Sequence, residues 1–301
     1  MRDHIFEKVE TITIQKKIWF ITKYRHEHKL VMLLKVMKLS KSTYFENLNR
    51  KTSRHGARKQ GICSQIQTIY NESDQVYGAR KIAKILQKSG VKITTRTISN
   101  YMQELQIRSI RAQKSYKSRP KSNDKDSCVN YLKDVAVTTV NTHVCTDMTY
   151  IYTILDGWVY QLTFMDLMTR KILHSEVSAT MDDEFVSSNT SKLLERYPTI
   201  KMIHADRGSQ YTSKRFRKLL EENGVVASYS APGYPYDNAK IESYHASLKR
   251  EKLYRFRIMN LAHAKKLVFE YNYGFYNTRR IHESIDYLTP NQFERQLLIA
   301  N

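Results

Sequence analysis

Three carboxylates stand where a carboxylate is costly or conspicuous. Asp147 lies in the middle of THVCTDMTYIYTIL, among Val144, Met148, Tyr150 and Ile151, where an ionised side chain needs compensation. Asp206 closes the segment IKMIHAD, and Glu242 lies in YPYDNAKIESYHASLKRE, with 35 residues between these two acids. Like charges gathered at one point repel and take up protons unless a cation neutralises them, so a bound divalent metal explains such a cluster best. All-oxygen ligation favours magnesium, with manganese as its substitute, and the absence of a His/Cys ligand set disfavours zinc. Two such ions about 3.5 to 4 Å apart activate an attacking oxygen and stabilise a leaving one at a phosphodiester. The chemistry these residues point to is phosphoryl transfer on a nucleic-acid backbone, with Asp147, Asp206 and Glu242 as both catalytic residues and metal ligands.

The elements that must carry them follow from periodicity. From Asn141 the pattern reads as three antiparallel strands, the first two joined at Asp156-Gly157, a strong hairpin signal. A helix near 183–196, a strand at IKMIHAD, a helix near 213–222, a strand at VVASY and the helix carrying Glu242 come next. A meander followed by alternating helices and strands predicts an α/β ribonuclease-H-like core, a mixed five-stranded sheet with helices. Asp237 and Asn238 suit the start of the last helix, on which counting by 3.6 puts Glu242, His245 and Lys249 near one face. A metal ligand thereby sits beside groups suited to DNA phosphates, and Asn238 and Lys240 join that set. Other polar residues read as structural. Asp166 reads as a turn cap. Asp182, Asp183 and Glu184 read as an acidic first helical turn. His204 is expected to turn away from Asp206 into strand packing. For His282 and the pair Arg279-Arg280, DNA contact and simple exposure both stay open.

The charge lies in front of this core. The formal net charge of +21 implies a polyanionic partner, for which nucleic acid is the default. Residues 1–130 hold 28 Lys and Arg against 10 Asp and Glu, whereas the remaining 171 residues hold 22 against 19. Within the basic front, GARKIAKILQKSGVKITTRTISNYMQELQI reads as helix, turn at Gly90, helix. Such a second helix is normally laid in the major groove, so Arg96, Thr97, Ser99 and Asn100 are expected to meet phosphates and base edges while Arg80 holds the backbone. VMLLKVMKLSKSTYFENL reads as a second such unit capped at Ser40 to Thr43, residues 1–25 admit a helix or a strand, and the basic run from Arg111 reads as a linker. The expected divisions are an N-terminal helical region 1–60, an all-α helix-turn-helix 61–110, a linker 111–135, the catalytic core 136–254 and a helical extension 255–301. Cys63, Cys128 and Cys145 form no CxxC pair, and no apolar run nears the roughly 18 residues of a membrane span. A cytoplasmic protein working on DNA, not a membrane, is expected.

At these residues the sequence resembles the DDE transposases of bacterial insertion sequences, the second-frame (orfB) product of the two-frame type, related to retroviral integrases. The resemblance rests on TDMTYI, HADRGSQYTS and YDNAKIESYHASLKRE around the three acids, on the interval of 35 residues, on FYNTRRIHESIDYLTPNQF at 275–293 and on VYGARKI near residue 80. It implies strand cleavage at element ends by water, then attack of the freed 3′-hydroxyl on another phosphodiester at the same two-metal site, with a circular intermediate in this branch. It further implies that Lys249, seven residues after the glutamate, touches element-end DNA. A homo-oligomer holding two ends together and a first-frame (orfA) partner are also implied. Two rivals are a nuclease or resolvase of the same fold that only hydrolyses, and a non-catalytic DNA-binding regulator. A retroviral-type integrase is disfavoured because no His-His/Cys-Cys zinc module precedes the core. Because many cationic side chains would release counterions, DNA affinity is expected to fall steeply with salt, and a flat profile in a titration from low to high ionic strength would contradict this reading of the basic front.

Overall fold

The computed structural model describes residues 12–48, 54–110, 129–231 and 238–300. The chain forms two compact units, Met1–Gln65 and Ile66–Asn301. Most of the basic run expected as a linker, and Asp237, lie outside the described residues.

In the first unit, α1 (Ile14–Tyr24), α2 (Leu30–Val36) and α3 (Lys41–Leu48) enclose a small core of Ile21, Leu33, Leu34, Met37 and Tyr44. The turn between α2 and α3 passes through Lys38 in the left-handed region (φ 47°), and Ser40 caps α3 by accepting from the Thr43 amide at 3.0 Å. Residues 14–24, open between helix and strand on pattern alone, are helical. The unit boundary falls inside α4 (Arg54–Glu72).

After the end of α4 the second unit continues with α5 (Ala79–Lys88) and α6 (Thr95–Glu104), the expected helix-turn-helix. Gly90, at φ 83°, ends the first helix where a side chain would be strained, and Thr94 caps the second by accepting from the Thr97 amide. Ile82, Ala83 and Leu86 on α5 and Ile98 and Met102 on α6 are buried between the two.

The sheet follows: β1 (His143–Thr153), β2 (Gly157–Asp166), β3 (Ile172–Ser178), β4 (Met202–Ala205) and β5 (Val226–Tyr229). Their order is β3-β2-β1-β4-β5, with β3, β2 and β1 antiparallel and β1, β4 and β5 parallel, the ribonuclease-H-like mixed sheet. Gly157 makes the first hairpin at φ 70°. Asp166 is a cap, fully buried, and accepts from the amides of Asn141 and Thr169 and from the Thr169 hydroxyl. Asp182 likewise caps α7 (Asp183–Arg196) through the Phe185 amide.

Alternation along the strands gives the sheet two unlike faces. On one, Val144, Leu162 and Phe164 pack against Val186 and Leu193 of α7 and Phe216 and Leu220 of α9 (Lys214–Glu222), which follows the single turn α8 (Ser209–Thr212). On the other, Gln161 and Thr163 are fully buried polar residues that need partners. These come from α10 (Ala239–Glu251) and from the chain after α11 (Leu261–Phe269): Gln161 donates to the Tyr244 hydroxyl at 2.8 Å, which donates to Asn272.

The closing segment before α12 (Pro290–Ala300) corrects one expectation. Arg280 and His282 are neither exposed nor available to DNA; they are 9% and 7% exposed, and only Arg279 faces solvent. Arg280 is drawn in by the buried carboxylate of Glu251, and His282 stands beside its guanidinium at 3.2 Å. Burial, reinforced by the charges of Arg280, Lys81 and Arg170, pushes the His282 imidazole down to about 2. An imidazole held neutral when folded stabilises fully above its unfolded value and loses that contribution as pH falls below it. With an unfolded value of about 6.5, lowering the pH from 8 to 5 is expected to cost the wild type about 2 kcal/mol more than His282→Gln, measured by denaturant unfolding at each pH.

Candidate active site

The β1/β4 register brings two of the three acids together. Cys145 pairs with His204 at the end of the parallel ladder; two residues on, Asp147 still lies in β1, while Asp206 stands one residue past the end of β4. Both carboxylates act on the phenol of Tyr211, which burial first and their charges next push well above its ordinary range. Tyr211 is buried beneath them, its hydroxyl 3.3 Å from the Thr146 hydroxyl.

Each carboxylate is held by the backbone. Asp147 accepts from the Met148 amide at 2.9 Å, and Asp206 accepts from the Gly208 amide at 2.9 Å. A Cβ at Gly208 would stand 3.0 Å from Asp206 Oδ1, 3.1 Å from Gln210 Oε1 and 3.4 Å from the Tyr211 ring, so these side chains would have to give way by a few tenths of an ångström. The sequence reading passed over this glycine, although its place two residues after an acid in HADRG is a signal for a tight carboxylate-binding turn.

Helix α10 lies across β1 at this point. Ile241, Tyr244, His245 and Leu248 form its buried stripe, while Glu242 is exposed and Lys249 half-buried, both on one border of that stripe. At its start Asn238 donates to the Thr146 carbonyl at 3.4 Å, and one turn beyond Glu242 the His245 ring stands 3.4 Å from Asp147 Oδ2 and from the Thr163 hydroxyl. Glu242 thus sits on α10 between the two residues that touch β1 at 146 and 147. Among the described residues, no three His, Cys, Asp or Glu side chains already surround one point. The donor set nonetheless suits a hard cation, being oxygen-only, with one member in β1, one just past the end of β4 and the third on the helix that crosses β1.

Several expectations need revision here. His245 was expected to face DNA phosphates with Glu242 and Lys249, but it is only 5% exposed and faces Asp147, because position 245 falls inside the apolar stripe and not on its border. Asn238 is buried too, and Lys240 donates to the Leu167 carbonyl at 2.8 Å. His204 packs between strands as expected, its ring meeting the hydroxyls of Ser228 and Ser230. In the helix-turn-helix, Arg96 and Asn100 are exposed, Thr97 is half-buried with its hydroxyl on Thr94, and Arg80 pairs with Glu283 at 3.5 Å.

Comparison with known proteins bears on the whole chain. Residues 57–115 match the HTH-like domain, residues 137–235 the integrase core domain, and residues 223–290 a second integrase core domain profile. The transposase for insertion sequence element IS904 of Lactococcus lactis subsp. lactis (strain IL1403) is 30% identical over 251 residues, covering 82% of this chain and 99% of that protein. The chain belongs to the insertion-sequence transposases. Transposase InsF for insertion sequence IS3A of Escherichia coli (strain K12) is 28% identical over 290 residues, 94% of this chain and 99% of its own length. The insertion element IS600 uncharacterized 31 kDa protein of Shigella sonnei is 26% identical over 267 residues, 88% of this chain and 98% of its own. Among solved structures, the catalytic core domain of BIV integrase is 18% identical and covers 53% of this chain and 97% of that one, with a TM-score of 0.42.

In this transposase the Asp206 turn is a sensitive point. Gly208→Ala keeps an ordinary backbone conformation (φ -59°), so its main effect is to press on the nearest side chain, the Asp206 carboxylate, with Gln210 and Tyr211 beside it. Joining activity is expected to fall by about ten-fold or more while the melting temperature changes little, since small misplacements at a reacting centre are costly.

Proposed function

We propose that this transposase cleaves DNA strands at the ends of its insertion sequence and transfers the 3′-hydroxyl so released to a second phosphodiester, using Asp147, Asp206 and Glu242. What supports the reading is that the parallel β1/β4 ladder leads toward both Asp147 and Asp206, that the helix bearing Glu242 touches β1 at 146 and 147, and that 82% of the chain is similar to an insertion-sequence transposase. Two magnesium ions, for which manganese would substitute, supply when bound the activation of the attacking oxygen and the stabilisation of the leaving one.

The protein's own residues prepare that site. The amides of Met148 and Gly208 hold the two aspartates in orientation before DNA arrives, which lowers the cost of organising the site during reaction. His245, buried against Asp147, orients that carboxylate and does not meet phosphate. Lys249, on the same border of α10 as Glu242, is the residue that meets the backbone of the element end. Arg96 and Asn100 on the exposed side of α6 read the DNA, and Thr97 chiefly caps that helix. Asn238 and Lys240 hold the start of α10 and act on DNA through it. Two element ends must be held at once, so a homo-oligomer assembles on double-stranded DNA in the cytoplasm, with a first-frame product as a further partner. Chain boundaries near residues 60, 110, 135 and 254 separate the DNA-binding, linking, catalytic and closing parts.

Replacing Glu242 by Gln keeps its size and removes its charge. Strand transfer of pre-cleaved ends is expected to be lost with DNA affinity retained within about two-fold, as read by a joining assay beside a mobility-shift titration. Undiminished joining by Glu242→Gln would defeat the assignment, and hydrolysis without joining by the wild type would make the protein a nuclease of the same fold.

A further inference from the structure

The helix that carries Glu242 is gripped at its other end by a buried charge pair. Glu251 is 4% exposed and Arg280 9%. They form two parallel hydrogen bonds, Arg280 Nε donating to Glu251 Oε2 at 2.8 Å and Nη2 to Oε1 at 2.8 Å. Tyr271 donates to the same carboxylate at 2.7 Å, and Arg280 also donates to Ser247, one turn earlier on α10, at 3.1 Å. Burial alone would raise the Glu251 carboxyl, but the hydrogen bond and charge of Arg280 hold it below its ordinary value.

Such a pair is a poor way to gain stability. Taking both ions out of water costs about what their attraction returns, and well-packed apolar side chains of the same volume commonly do as well or better. A forked pair does supply geometry, because two parallel bonds fix rotation and axial position together. Glu251 lies nine residues after Glu242, about 13.5 Å along the axis and about half a turn around it. With a carboxylate about 6 Å from the helix axis, a rotation of about 15° would shift it by about 1.6 Å, against a tolerance of about 0.2 Å in a metal–ligand distance. The segment bearing Arg280 is itself pinned: the Tyr77 hydroxyl donates to the Arg279 carbonyl at 2.5 Å and accepts from the Ile281 amide at 2.8 Å.

We propose that Glu251 and Arg280 are positioning residues for Glu242, setting the rotation and axial position of α10 so that the third carboxylate reaches the ions held by Asp147 and Asp206. This inference rests on the three-acid site proposed above. Its test is manganese binding by the full chain on duplex DNA carrying the terminal inverted repeat, read by electron paramagnetic resonance and corrected for DNA alone. Glu251→Gln and Arg280→Lys are expected to bind manganese about ten-fold more weakly than wild type. The double variant Glu251→Met with Arg280→Met, which packs apolar groups where the ions were, is expected to melt close to the wild type yet bind manganese equally weakly. A merely structural pair would leave manganese affinity at the wild-type value in the folded double variant, and that result would overturn the proposal; where a single variant fails to fold, the double variant decides. Glu242→Gln separates the two levels. If it loses manganese while the methionine pair keeps it, only the positioning role falls; if it keeps wild-type affinity, the three-acid reading falls.

Discussion

The parallel pairing of β1 with β4 is the constraint on which the proposed site depends, because it fixes Asp147 within β1 relative to Asp206 just past the end of β4. Here the β1/β4 register sets the strands, and the amides of Met148 and Gly208 hold the carboxylates. Beneath them, Tyr211 is kept protonated by burial and by the charges above it.

The two faces of the sheet divide the work. The face against α7 and α9 is apolar and gives the core its cohesion. The face toward α10 carries Gln161 and Thr163 in place of aliphatic residues and is tied to α10 and the closing segment by directional bonds. Directional bonds specify one arrangement more sharply than apolar contact does. That suits a helix whose first turn carries Glu242, the third acid of the proposed site. Asn277 extends the same logic to the sheet edge, its side chain bonding both the amide and the carbonyl of Ile172 on β3.

The helix-turn-helix is joined to the same closing segment. Besides the Tyr77 contacts, Arg80 pairs with Glu283, and Lys88 reaches Asp286, which sits in the left-handed region at φ 51°. Arg80 on α5, which a linear reading assigns to DNA, is therefore used within the protein, while Arg96, the basic residue of α6, remains exposed. Exposed ion pairs of this kind contribute little to stability, so they do not bar a phosphate from competing.

Much of this was legible in the residue order. Strand alternation, the Asp-Gly hairpin and the apolar helical stripes depend on local chemistry, and the strands and helices of the core read from them are observed to within a residue or two. The long helix α4 (Arg54–Glu72), across which the expected division at residue 60 falls, was not read. The acids were conspicuous because a charge amid apolar neighbours is costly wherever it lies. What local pattern could not supply was direction and pairing at long range. Whether His245 turned to solvent or to Asp147 depended on where β1 crosses α10. Whether Arg280 was a surface cation depended on Glu251, 29 residues away. Gly208 mattered only once the Asp206 carboxylate occupied the space a Cβ would fill. The sequence by itself determined which elements form and which side chains carry the charge, because those follow from backbone periodicity and solvation of neighbours in the chain. Only the tertiary structure decided which of those charges are buried, paired or open, because that depends on groups brought together across the sheet.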